Sequence, residues 1–150
     1  MKKLIVLQFM FLMACGSNKH ADFDSAQVNY VSNDKLESIT VNSTDSGENQ
    51  EEAIYNAKKL AFQNLFFRGI SNSPFNKPLI SINEQAAFKK HKTYLNAFYS
   101  KRMGTFITNS HESISKVRGG RRLAKVNMTI NMLALRKDLE EHQVIKKFGL

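Results

Sequence analysis

One cysteine, four histidines and a cluster of basic residues are the side chains of this sequence with chemistry to offer. Cys15 is the only thiol in the 150 residues, so no internal disulfide can form. It follows an uncharged, mostly apolar run of eleven residues, Leu4 to Ala14, and that run follows Lys2 and Lys3. A helix crossing a bilayer needs about 20 apolar residues. The shorter run has the length of the apolar part of an export signal.

The histidines offer less. His20, His91, His111 and His142 show no two-histidine spacing that suits a metal. His91 reads as a helical residue at the edge of the core. His111 beside Glu112 is the one pairing with acid–base potential, and it ranks last among the functional readings. No Gly-x-Ser-x-Gly elbow occurs, and Gly119-Gly120 lacks the context of a phosphate loop. The expectation is a non-enzyme with no metal, no cofactor and no small-molecule substrate.

The basic cluster is Lys116, Arg118, Arg121, Arg122 and Lys125, crowded around the Gly119-Gly120 pair. Two readings stand side by side. The cluster is a contact for an anionic partner such as a lipid head group, a wall polymer or an acidic protein face. Alternatively it is a solvated hairpin whose charge discourages edge-to-edge aggregation. The whole chain has 22 Lys and Arg against 13 Asp and Glu, a net charge of +9. That charge would suit nucleic acid, but no nucleic-acid motif is present and an exported protein does not meet it.

Leu12-Met13-Ala14-Cys15 resembles the lipobox of bacterial lipoprotein signals, with Leu12 at −3 and the small Ala14 at −1; Met13 at −2 is bulkier than usual. The resemblance implies cleavage before Cys15 and acyl lipid on its sulfur and new amino terminus. One acyl chain holds a protein reversibly; two or three hold it essentially permanently. Gly16 rather than Asp follows Cys15, and no acidic cluster comes after it. By likeness to known sorting patterns, that implies the outer membrane, facing the periplasm. Loss of Lys2 and Lys3 with the signal removes two of the nine net positive charges.

These side chains need a scaffold. Residues 16–34 are polar and aperiodic and read as a tether, with Val28-Asn29-Tyr30-Val31 the stretch of strand-like composition. Leu36 to Val41 alternates as a strand, and Asn42 to Asn49 reads as a loop. Asn49 with Glu52 has the pattern of a capping box. A helix then runs from Gln50 to about Phe67 or Arg68 on Ala53, Ala57, Leu60, Ala61 and Leu65, with Gly69 as its terminator. After the turn-rich segment Ser71 to Pro78, Leu79 to Ile82 reads as a short strand. Asn83 caps a helix reaching Lys101 to Gly104, with Ala87, Phe88, His91, Leu95, Phe98 and Tyr99 as its stripe. Thr105 to Val117 and Ala124 to Met132 are strands joined at a two-residue Gly-Gly turn. Leu133 to Phe148 closes the chain as a helix with Leu135, Leu139 and Ile145 inward.

This order predicts an α+β fold: a small antiparallel sheet with about three helices packed mainly on one face. The expected organisation is a signal peptide at 1–14, a lipidated tether at 15–34 and one domain at 35–150. Glu52-Ala53-Ile54-Tyr55-Asn56-Ala57-Lys58-Lys59-Leu60-Ala61, together with Val126 to Ile130 leading into Leu135 to Glu140, resembles a group of small bacterial lipoproteins. Their domain is like the N-terminal domain of flagellar assembly protein T. Size and order are also similar to the TssQ-type lipoprotein of one type VI secretion variant. These resemblances imply a non-catalytic, structural or anchoring component of an envelope assembly, with other envelope or secretion proteins as partners. The alternative is a periplasmic module that binds an anionic cell-wall or lipid ligand.

Overall fold

The computed structural model describes residues 27–147. Within them the fold is α+β: four antiparallel strands form one sheet, and four α-helices accompany it. The strands are β1 (Gln27–Asp34), β2 (Ser38–Gly47), β3 (Ile107–Lys116) and β4 (Arg122–Asn131), in the spatial order β1-β2-β4-β3. The helices are α1 (Gln50–Phe67), α2 (Glu84–Lys90), α3 (Lys92–Ala97) and α4 (Met132–Glu141). Two hairpins, β1–β2 and β3–β4, join through the β2–β4 ladder, and α1 to α3 lie in the connection between them.

Strand β4 alternates as its sequence predicts. Ala124, Val126, Met128 and Ile130 are fully buried, while Lys125 is exposed. They face α1 together with Ile39 and Val41 of β2. Helix α1 lays Ala53, Ala57 and Ala61 against this face, and small side chains let the helix axis come close. At its far end Phe62 and Phe66 meet Phe98 with ring centroids 5.3 and 5.0 Å apart, and Phe106 lies 5.6 Å beyond Phe98.

The expected N-cap is present. Asn49 Oδ1 accepts from the Glu52 backbone N–H at 2.9 Å, and Glu52 Oε2 accepts from the backbone N–H of Glu48. The reciprocal bond of the capping box thus falls one residue early. Gly69 ends α1 in the left-handed region at φ +81 and its N–H donates to Asn64 O at 2.7 Å.

Five expectations are corrected. Residues 27–34, assigned to the tether, form β1. Only Val28 and Tyr30 pack on the core, and a bulge follows Tyr30, so the period is too short to read in the sequence. Strand β2 continues to Gly47, through residues whose composition marks a loop. An unbroken ladder with β4 from Ser38 to Gly47 overrides that local preference. Leu79 to Ile82 is not a strand. The N–H groups of Leu79 and Ile80 donate instead to the last carbonyls of α1, on Leu65 and Phe66, both at 2.9 Å. The helix expected after Asn83 is broken at His91 into α2 and α3, then continues as a π-helical turn, Phe98–Arg102, and a 3₁₀ turn, Met103–Phe106. Helix α4 also stops early, at Glu141. His142 caps it and Gln143 takes a left-handed conformation, φ +56.

Candidate functional site

Cys15, the expected point of lipid attachment, lies outside the described residues, as does the expected signal peptide at 1–14. The basic hairpin is described. Lys116 ends β3 and Arg122 begins β4, and the two are cross-strand partners. Val117 N–H donates to Arg121 O at 3.0 Å, which closes the turn around Arg118, Gly119 and Gly120. The turn therefore holds three residues rather than two. Gly119 and Gly120 both have left-handed φ, +84 and +81, which glycine adopts without steric penalty. No atom comes within 4 Å of where a Cβ would stand on either, so the tip is open to solvent.

The pleat divides the cluster. Arg122 shares the side of Ala124 and Val126, where α1 packs, and Lys116 shares the side of Ile114. Lys125 lies on the opposite side with Asn127 and Thr129. Lys116, Arg121 and Lys125 are exposed and Arg122 is half-buried. Arg118 sits in the turn itself. The five residues therefore gather around one tip, with those on the strands divided between the two sides of the sheet.

The side of the sheet away from α1 is polar. Thr40 and Thr129 hydroxyls meet at 2.9 Å across β2 and β4, and Asn127 Nδ2 donates to Asn42 Oδ1 at 2.8 Å. His111 lies on this side, opposite Asn127, and is exposed. Its neighbour Glu112 points to the other side, where Lys58 of α1 holds it at 2.6 Å. Adjacent strand residues face opposite ways, so His111 and Glu112 cannot act together on one ligand.

The tightest polar cluster joins residues far apart in sequence. Asp138 of α4 is 7% exposed. Its Oδ2 accepts from the Tyr94 hydroxyl at 2.7 Å, and its Oδ1 pairs with Arg102. Arg102 Nη1 lies 3.3 Å from His142 Nε2, and the His142 ring stands 4.9 Å from the ring of Tyr94. Arg102 ends the π-helical turn that follows α3, and from there its guanidinium meets Asp138 of α4. Burial, and then the hydrogen bond to Asp138, push the Tyr94 hydroxyl well above its ordinary pKa. Phenol and guanidinium occupy both carboxylate oxygens, so the arrangement clamps α4 to α3. The sequence carried one signal for it. Asp138 falls on the inward stripe of α4, between Leu135 and Leu139.

His91 lines an open cleft of about 500 Å³ with Ser81, Ile82, Lys90, Gln143 and Val144. Burial, and secondarily Lys90, lower its pKa. Among the described residues no group of three or more His, Cys, Asp or Glu side chains could hold a metal ion. No helix among them is long and apolar enough to cross a membrane. Set beside protein-family models, curated proteins and solved structures, the chain matches none.

Proposed function

We propose that this chain is a lipid-anchored, non-catalytic module of the bacterial cell envelope. In this reading it is held through Cys15 on the periplasmic face of the outer membrane, as a structural or anchoring component of a protein assembly of the type VI secretion kind. The observation that carries the reading is the placement of the sole cysteine. It stands at the end of Leu12-Met13-Ala14-Cys15, behind an apolar run too short to span a bilayer. The domain that follows is of a size to fold around its own core. Among the described residues, the polar cluster around Asp138 has its donors and acceptors turned on one another.

The test is metabolic labelling with a palmitate analogue, with membrane fractionation of wild type and Cys15→Ala. Wild type is expected to carry the label and to fractionate with the outer membrane, while Cys15→Ala carries none and accumulates unprocessed or soluble. Unlabelled wild type would refute the anchor. Crosslinking from intact cells then addresses the assembly. Recovery of defined envelope or secretion components supports the structural role, and their absence argues against it.

The second reading, a periplasmic module for an anionic cell-wall or lipid ligand, is favoured by the basic tip. Its test is sedimentation of the protein with isolated wall polymer, with and without charge reversal at Arg118, Arg121 and Arg122.

A further inference from the structure

The chain enters the sheet at a definite end. Gln27, the first described residue, lies in a cross-strand row with Thr44, Lys125 and Ser113. Strands β2, β3 and β4 continue about three residues past that row, about 10 Å at strand rise, and the Arg118–Gly120 turn lies farther still. The β1–β2 turn, with Leu36 58% exposed, is at the other end of the sheet, about 25 Å from Gln27 along β1. The residues from Cys15 to Gln27 can span at most about 40 Å when fully extended. A chain held at Cys15 therefore reaches the domain at the end that carries the basic tip.

We propose that the β3–β4 hairpin is the membrane-facing end of the domain. Lys116, Arg118, Arg121, Arg122 and Lys125 dock on the anionic head groups of the same bilayer that holds Cys15. The inference rests on the lipid-anchor reading and adds to it an orientation and a second, electrostatic contact. Charge complementarity and the point where the chain enters argue for a lipid surface over any other anion. The open tip, with nothing near either glycine, can approach a plane without obstruction. Of the acids at this end, Asp45 of β2 pairs with Ala124 and accepts from Ser46 N–H, while Glu48, Glu51 and Glu52 stand around the start of α1, with Glu52 turned back onto Glu48 N–H. The hairpin is thus the part of this end where the basic residues gather. Each basic residue brought to an anionic surface strengthens binding about fivefold, and salt weakens the effect.

The chain contains no tryptophan, so a single introduced one reports its own position. The processed, lipidated full chain would carry either Ser115→Trp, beside the hairpin, or Leu36→Trp, at the opposite turn. Each protein is reconstituted into vesicles of equimolar phosphatidylglycerol and phosphatidylcholine that contain a dansyl head-group acceptor. Energy transfer is expected to be several-fold greater from Ser115→Trp. The excess should vanish in high salt, in pure phosphatidylcholine, and in the Arg118→Glu, Arg121→Glu, Arg122→Glu background. Equal transfer from both positions, greater transfer from Leu36→Trp, or indifference to phosphatidylglycerol would overturn the proposal. So would preferential sedimentation with lipid-free wall polymer that competes away the vesicle contact. Mass spectrometry of the same preparations reads acylation at Cys15 separately, so a failed anchor and a failed orientation give different results.

Discussion

The hydroxyl of Ser43, in β2, donates to the carbonyl oxygen of Ala57, in α1, at 2.6 Å. Ser43 is fully buried on the face of the sheet that packs against α1, next to Val126 across the ladder. A buried hydroxyl needs a partner, and only a helix backbone brought close to the sheet can supply one here. Ala57 has no side chain beyond Cβ to hold the two apart. Ser43→Ala should lower stability by about 1 kcal/mol in urea denaturation. Ala57→Leu should cost about 3 kcal/mol, because the helix must move off the sheet. An Ala57→Leu melt equal to wild type would show that the contact is not this close.

Gly47 marks where α1 comes nearest the end of β2. A Cβ there would stand 2.5 Å from Ala53 N and 2.8 Å from Glu52 C, both backbone atoms that cannot give way. Gly47→Ala is expected to destabilise by about 3 kcal/mol, more than an exposed substitution such as Asn42→Ala. Comparing thermal midpoints of the two variants checks it; similar midpoints would contradict the close approach.

Asp138→Ala removes the acceptor shared by Tyr94 and Arg102. Breaking a buried pair from one side costs about 3 kcal/mol or more, but the Arg102 side chain is 34% exposed and regains water, so about 2 kcal/mol is expected. Hydrogen exchange should locate the loss in α4 and the Phe98–Arg102 turn. Protection unchanged in α4 would mean the clamp is not what holds that helix.

Two tyrosines differ in their partners. Tyr94 O–H is bonded to Asp138, whereas Tyr99 O–H is buried with no partner. Tyr99→Phe is expected to be neutral or to stabilise by about 1 kcal/mol, and Tyr94→Phe to destabilise by about 1 kcal/mol. Both hydroxyls are held above their ordinary pKa of 10.0, first by burial. Below pH 10.0 folded and unfolded chains both keep these protons. Above it the unfolded chain releases them first, so stability falls as pH rises toward the folded values. The double Phe variant should lose stability less steeply over that range in alkaline denaturation curves; parallel curves would refute this.

His91 has the opposite sign. Its pKa is lowered by burial and by Lys90, so above 6.5 both states are neutral and its contribution is complete. Below 6.5 the unfolded chain takes up the proton first, and stability falls until the folded pKa is passed. His91→Gln should flatten that part of the stability–pH curve. An unaltered slope would assign the acid sensitivity to other groups.

Several features were legible because their causes are local. The alternation of β4, the Asn49 and Asn83 caps and the Gly69 stop each involve neighbours within a turn or a strand. The tip was legible as a place, since a Gly-Gly pair between strand patterns leaves few alternatives. Its pairing was not: that Lys116 stands opposite Arg122 around a three-residue turn follows from the register of β3 on β4. The separation of His111 from Glu112 needed only the two-residue period of a strand, once the strand was known to be unbroken.

What the sequence determined by itself is what depends on adjacent residues: a single cysteine behind a short apolar run, the amphipathic periods, and the α+β class that follows from their order. What only the tertiary structure decided depends on contacts between distant segments. Strand β1 exists because β2 offers it a free edge, and β2 outlasts its loop-like composition because β4 pairs with it throughout. Leu79 and Ile80 become a cap rather than a strand because two helix carbonyls lie within reach. Tyr94, Arg102 and Asp138 become one cluster because α4 packs its Asp138 against α3 and the π-helical turn that follows it. In each case the chain settles where buried backbone and polar groups find partners, and no local pattern records where those partners will be.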